Sequence, residues 1–77
     1  MANYIDVVQA KAKRFENCVS IQEIIQLADE VEARVKLVMH GFRGENGTLR
    51  ITALDYECEW DVTPLGTLEN YNYSLMF

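Results

Sequence analysis

"LRITALDYECEWDV", residues 49–62, alternates apolar and polar side chains along its whole length, but the alternation changes phase once. Leu49, Ile51 and Ala53 are the apolar set of the first half. Leu54, Tyr56, Cys58, Trp60 and Val62 are the apolar set of the second. A period of two marks a strand with one buried face. A one-residue change of phase inside such a pattern is what a bulge produces, so the stretch reads as one long strand bulged near Ala53–Leu54.

Working outward, Thr63-Pro64-Leu65-Gly66 fits a type I turn, with Pro second and Gly fourth. Tyr71, Tyr73, Leu75 and Phe77 then alternate with Asn70, Asn72 and Ser74 in a last strand. On the other side, residues 35–40 (VKLVMH) alternate passably and are β-branched, and Asn46-Gly47 would close a hairpin with the strand that comes next. The same six residues also continue a helical period, with Gly41 as a natural end cap. The strand is the preferred assignment.

Two helices precede this region. Ser20-Ile21-Gln22-Glu23 is a capping box, in which the Ser20 hydroxyl takes the Glu23 N–H and Glu23 reaches back to Ser20. Val19 and Ile24 are placed to form a hydrophobic staple beside it. Ile21, Ile24, Ile25, Ala28, Val31 and Val35 form the apolar face. Upstream, Asn3 caps a helix over residues 4–17, with Asp6 three residues on and Ile5, Val8, Ala12 and Phe15 as its buried stripe. Only Cys18 and Val19 connect the two helices, which implies a hairpin or a sharp corner. The expected fold is a single α+β domain over residues 1–77, ordered α-α-β-β-β, with both helices on one face of a small antiparallel meander.

Charge is unevenly distributed. Residues 1–50 hold seven acids and seven bases, whereas residues 51–77 hold five acids and no base, so the whole net charge of −5 lies in the C-terminal third. Phosphates would repel that third, which argues against direct binding to nucleic acid or to an anionic membrane. A basic protein surface is the complementary partner. No apolar run approaches the length of a membrane span. Cys18 and Cys58, far apart and without a secretory signal, read as free thiols in a reducing, cytoplasmic setting.

No catalytic signature is present, and no cofactor is implied. Gly41-Phe42-Arg43-Gly44 matches the loop pattern of KH domains, but no helix comes after it to receive a phosphate and the region lacks a basic helical frame, so turn chemistry is the better account. His40, the only histidine, would need Cys18, Cys58 or nearby acids to hold a metal, and the closely paired ligands of zinc sites are missing. Lys11, Lys13 and Arg14 form the only basic cluster and read as a solvated helix face.

Asp55, Glu57, Glu59 and Asp61 are the feature that stands out. On an extended strand they share one side at steps of about 6.8 Å. Each neighbouring pair then costs on the order of 0.6 kcal/mol in water, and three pairs about 2. Lys36, Arg34 or the basic helix lying opposite would offset that, and exposed charge on a strand also deters aggregation. A row of carboxylates at this step also resembles nucleic-acid phosphates in charge and spacing. The expectation is therefore a non-enzymatic module that occupies the basic, nucleic-acid-handling surface of another protein. It has the character of a small phage or mobile-element inhibitor. Asp55, Glu57, Glu59, Asp61, Glu69, Tyr71 and Tyr73 form its partner-binding set, and the four stripe carboxylates should then be nearly free of internal pairing. The alternative is a homodimeric structural protein joined through the last strand.

Overall fold

A computed structural model describes residues 3–40 and 46–77. Helix α1 spans Tyr4–Glu16, and the Asp6 N–H donates to the Asn3 side chain at 2.9 Å, as the cap pattern requires. Val8, Ala12 and Phe15 are buried, but Ile5 is exposed, because burial begins only after the first turn.

Helix α2 spans Ile21–Glu30. The Glu23 N–H donates to the Ser20 hydroxyl at 3.2 Å. The returning Glu23 carboxylate accepts from the Val19 N–H at 3.4 Å rather than from Ser20. The staple is absent: Val19 is 80% exposed, while Ile24 is fully buried without it. Ile24 and Ala28 carry the buried face; Ile25 and Val35 lie in partial contact with solvent.

The end of α2 settles the assignment of residues 35–40. The Ala33 N–H donates to the Ala28 carbonyl at 2.9 Å and the Glu32 N–H to the Asp29 carbonyl at 3.2 Å, with Glu32 at φ 57°. That pair of bonds around a left-handed residue is a Schellman termination. It turns the chain out of the helix and into strand β1, Arg34–Met39. A side chain in the left-handed region costs about 1–2 kcal/mol, which glycine avoids. Glu32→Gly is therefore expected to raise stability by about 0.5–1 kcal/mol in chemical denaturation, once glycine's own entropy is deducted.

Strand β2 spans Gly47–Thr52, β3 Tyr56–Val62 and β4 Leu68–Leu75. They form one antiparallel sheet in the order β1-β2-β3-β4. The α+β class and the meander are as expected, but there are four strands, not three. Residues 49–62 do not bulge; they fold back on themselves. Ala53 faces Tyr56 across a two-residue turn of Leu54 and Asp55, with the Ala53 N–H on the Tyr56 carbonyl at 2.9 Å. Paired residues in a hairpin share a face. Ile51 opposite Cys58 and Leu49 opposite Trp60 thus join odd and even positions into one apolar face. The β1–β2 connection is also longer than expected. Gly47 pairs with Met39 inside the sheet, and the His40 N–H reaches the Asn46 carbonyl at 3.3 Å. The Gly41–Gly44 loop motif lies outside the described residues.

The turn at Thr63–Gly66 closes as expected, with the Gly66 N–H on the Thr63 carbonyl at 2.8 Å. Helix α1 packs over β3 and β4, and α2 over β1. Between them and the sheet lies the core, in which Phe15 stands 6.2 Å from both Tyr56 and Trp60. Neither helix covers the other face of the sheet.

Candidate functional site

The uncovered face brings the charged residues together. Across it run Arg34–Thr52–Glu57–Ser74, then Lys36–Arg50–Glu59–Asn72, then Val38–Thr48–Asp61–Glu69. Cations occupy its β1–β2 half and carboxylates its β3–β4 half.

Three of the four stripe carboxylates lie in this face. Asp55 does not, because it belongs to the two-residue turn. There its carboxylate acts on the Tyr4 phenol and raises that group above its usual range. Its backbone carbonyl accepts the Met76 N–H at 2.8 Å.

Glu57 and Glu59 are not free either. Arg50, directly opposite Glu59, places Nη2 2.7 Å from Glu59 Oε2 and Nε 3.3 Å from Glu57 Oε1. One guanidinium thus serves two neighbouring carboxylates and offsets the repulsion that the strand would otherwise carry. The compensation comes from Arg50, not from Arg34, Lys36 or the basic helix. Residue 50 was visible as the polar member of β2. Its pairing was not, because it depends on the hairpin register.

Asp61 and Glu69 stand apart. They face one another across β3 and β4, and among the described residues no cation lies within ion-pair distance of either. Directly opposed like charges destabilise a sheet. Beside them β4 bulges at Asn70, in the left-handed region at φ 53°, and the Asn70 side-chain amide donates to Asp61 Oδ2 at 2.8 Å. The acidic stripe is therefore split into a middle whose two carboxylates share one guanidinium and an end with no cation partner among the described residues.

Tyr71 and Tyr73, expected at the partner surface, lie on the core side. Tyr71 packs 5.0 Å from Trp60 and 6.2 Å from Tyr73. Its hydroxyl donates to the Ala12 carbonyl of α1 and lies 3.2 Å from the Cys58 sulfur. It joins the helical layer to the sheet rather than offering itself to a partner.

His40, Cys18 and Cys58 do not converge. His40 Nε2 lies 2.9 Å from the Thr48 hydroxyl at one end of the sheet, and Cys58 is buried in the core. Among the described residues no group of three metal-binding side chains is present. Burial pushes the Cys58 thiol up to about 11, and Glu57 adds to this against the opposing hydrogen bond from Tyr71. Cys18 is raised by burial and Glu23, against Arg14. The native fold thus favours the neutral Cys58 thiol. That stabilisation is complete below the ordinary thiol value of 9.0 and is lost as pH rises through about 11. Tyr56 and Tyr71, both raised mainly by burial, act in the same direction. Denaturant midpoints measured from neutral pH to pH 11 should accordingly fall at the alkaline end. Cys58 should resist a thiol reagent in native buffer and react once the protein is unfolded.

The fold and the face define a class: a small α+β protein with two helices covering one side of a four-stranded antiparallel meander and a charged, open other side. Among the described residues no helix is long and apolar enough to cross a membrane. Comparison with protein-family models, curated proteins and solved structures finds none that matches.

Proposed function

We propose that this protein is a non-enzymatic binding module whose open sheet face docks on a basic surface of another protein, one that handles nucleic acid. The observation that carries this reading is the Asp61–Glu69 pair. Two carboxylates held face to face, with no cation among the described residues within ion-pair distance, are a cost to the fold that a cationic partner relieves. Glu57 and Glu59 contribute less, since Arg50 must first be displaced or shared. The docking surface is accordingly centred on the Val62–Leu68 end of the β3–β4 hairpin. Occupying such a surface blocks nucleic acid from it, so the module acts as an inhibitor or regulator. A second reading, a homodimeric assembly protein with no inhibitory role, draws on the two open edges of the sheet, β1 and β4.

Capture from cell lysate at low and at high salt tests the proposal. A nucleic-acid-handling protein retained at low salt and released at high salt supports it, because exposed ion pairs are screened. In a gel shift, the protein alone should leave duplex and single-stranded probes unretarded at physiological salt. Direct binding would count against the proposal.

Charge substitutions separate the two parts of the stripe. Glu57→Gln with Glu59→Gln removes both partners of Arg50 and should lower the melting temperature slightly. Asp61→Asn with Glu69→Gln removes the repulsion and leaves an amide oxygen at residue 61 to accept from Asn70, so it should leave the melting temperature unchanged or raise it. The opposite order in thermal melts would show that the outer acids are compensated inside the fold.

A further inference from the structure

Strand β1 is an edge strand and is exposed along its whole length. Val35, Leu37, Val38 and Met39 each keep 39–46% of their surface. The other edge, β4, is interrupted by the bulge at Asn70 and is polar at Glu69, Asn70 and Asn72. Such interruptions prevent edge-to-edge pairing, and β1 has none of them apart from its charges. The β1 edge lies across the sheet from the Asp61–Glu69 pair, so pairing at β1 is independent of any basic partner.

The hydrogen bonds that β1 leaves open can be read from its register. The His40 N–H points at β2, where it reaches Asn46. In an antiparallel ladder the direction alternates from residue to residue. Arg34, Lys36 and Val38 therefore bond to β2, and Val35, Leu37 and Met39 turn their N–H and C=O groups outward. These three are symmetric about Leu37.

We propose that β1 is the self-association edge of this protein: a second copy pairs with it antiparallel about a two-fold axis at Leu37. Leu37 then faces Leu37 of the second copy, and Val35 faces Met39 on either side. All three outward residues are hydrogen-bonded in each copy. Their side chains lie on one face of the combined sheet as a continuous apolar row. On the opposite face Lys36 stands across from Val38, so no cation is placed directly opposite its own copy. Lys36 also selects this register, because a pairing centred one residue earlier would set the two lysines face to face. Arg34 lies across from His40.

The seam is only about 20 Å long at the rise of a strand. It covers less than the roughly 1,200–2,000 Å² of a stable interface, so the dimer is weak and concentration-dependent. The paired sheets form an eight-stranded sheet with both acid pairs at its outer ends.

Light scattering from about 10 µM to 1 mM tests this. The apparent mass should rise from 8.9 kDa towards twice that value. Leu37→Lys places two cations on the axis and should hold the mass at the monomer value, with circular dichroism unchanged because Leu37 is already half exposed. A second experiment does not depend on disrupting the dimer. Leu37→Cys in a Cys18→Ser background puts two thiols across a hydrogen-bonded pair, about 5.5 Å between Cα atoms, within reach of a disulfide. Mild oxidation should convert it to a covalent dimer. Arg34→Cys should not cross-link, because the two copies of residue 34 are about 20 Å apart. A constant monomer mass throughout overturns the proposal. So does a dimer that survives Leu37→Lys, or one in which Leu37→Cys fails to cross-link.

Discussion

Phe15→Ala is expected to lower the unfolding free energy by about 3–5 kcal/mol. Phe15 is fully buried, and its ring stands between Tyr56 and Trp60 at 6.2 Å from each. It is the largest side chain that α1 sends into the sheet, so its removal leaves a cavity that neither layer can close without moving the other. A domain of this length has only about 4–12 kcal/mol to lose. The melting temperature should therefore fall by roughly 15–30 °C, or the transition should vanish. Val19→Ala is the contrast: its side chain is largely in solvent, and the change should be within about 0.5 kcal/mol. Equal effects at the two positions would mean that α1 does not seal the core as described.

Gly47→Ala should cost about 2–3 kcal/mol, although it adds a single methyl group. A Cβ built at Gly47 would lie 2.6 Å from the Val38 carbonyl oxygen and 2.5 Å from the Met39 sulfur. The methionine side chain can move, but the carbonyl belongs to the β1 backbone and cannot do so without disturbing the pairing of the two strands. Glycine is required here by the closeness of the neighbouring strand, not by a turn. Gly66 is the reverse case, with φ at 86° and open space around it. Denaturant midpoints of the alanine variants would separate the two causes. A neutral Gly47→Ala would show that β1 and β2 sit farther apart than the register places them.

The helices, the meander and the inward-facing residues of β3 were legible because each rests on a local rule: a capping side chain, a period of 3.6 or a period of two. What could not be read depended on geometry that leaves no local mark. The change of phase at Ala53–Leu54 fits a bulge and a two-residue hairpin equally well, and Leu54-Asp55 lacks the Asn-Gly or Asp-Gly signature that announces such turns. Counting it as a bulge left one strand too few and put Asp55 into the stripe. The end of α2 was obscured in the same way, because Glu32 occupies a left-handed position that glycine usually marks. The open apolar side chains of β1 could not be foreseen at all. Their pattern is that of a buried strand, yet with α2 packed against β1 they still keep 39–46% of their surface.

The site depended on the fold. The concentration of acids after residue 50 was plain, but which of them remain free was not. Arg50 precedes the acids in sequence and is joined to Glu57 and Glu59 only by the two-residue turn at Leu54 and Asp55. Asp61 and Glu69 are eight residues apart, and the register that starts from Val62 opposite Leu68 at the β3–β4 turn sets them opposite each other. The aromatic residues of β4 looked like a surface rim. Their positions instead lean against Trp60 and α1, because the same alternation serves a core and an interface alike.

Retention of a partner by two charge-altered forms, side by side with the parent protein, tests the docking face most directly. The parent, the Glu57→Gln/Glu59→Gln form and the Asp61→Asn/Glu69→Gln form would each be immobilised and exposed to the same lysate at low salt. The expected result is a basic, nucleic-acid-handling protein held by the parent, held less by the first variant and lost from the second. Association with the purified partner should slow in the same order, since steering charges act mainly on the on-rate. Equal retention by all three forms, or none by the parent, would contradict the assignment of this face as a binding surface.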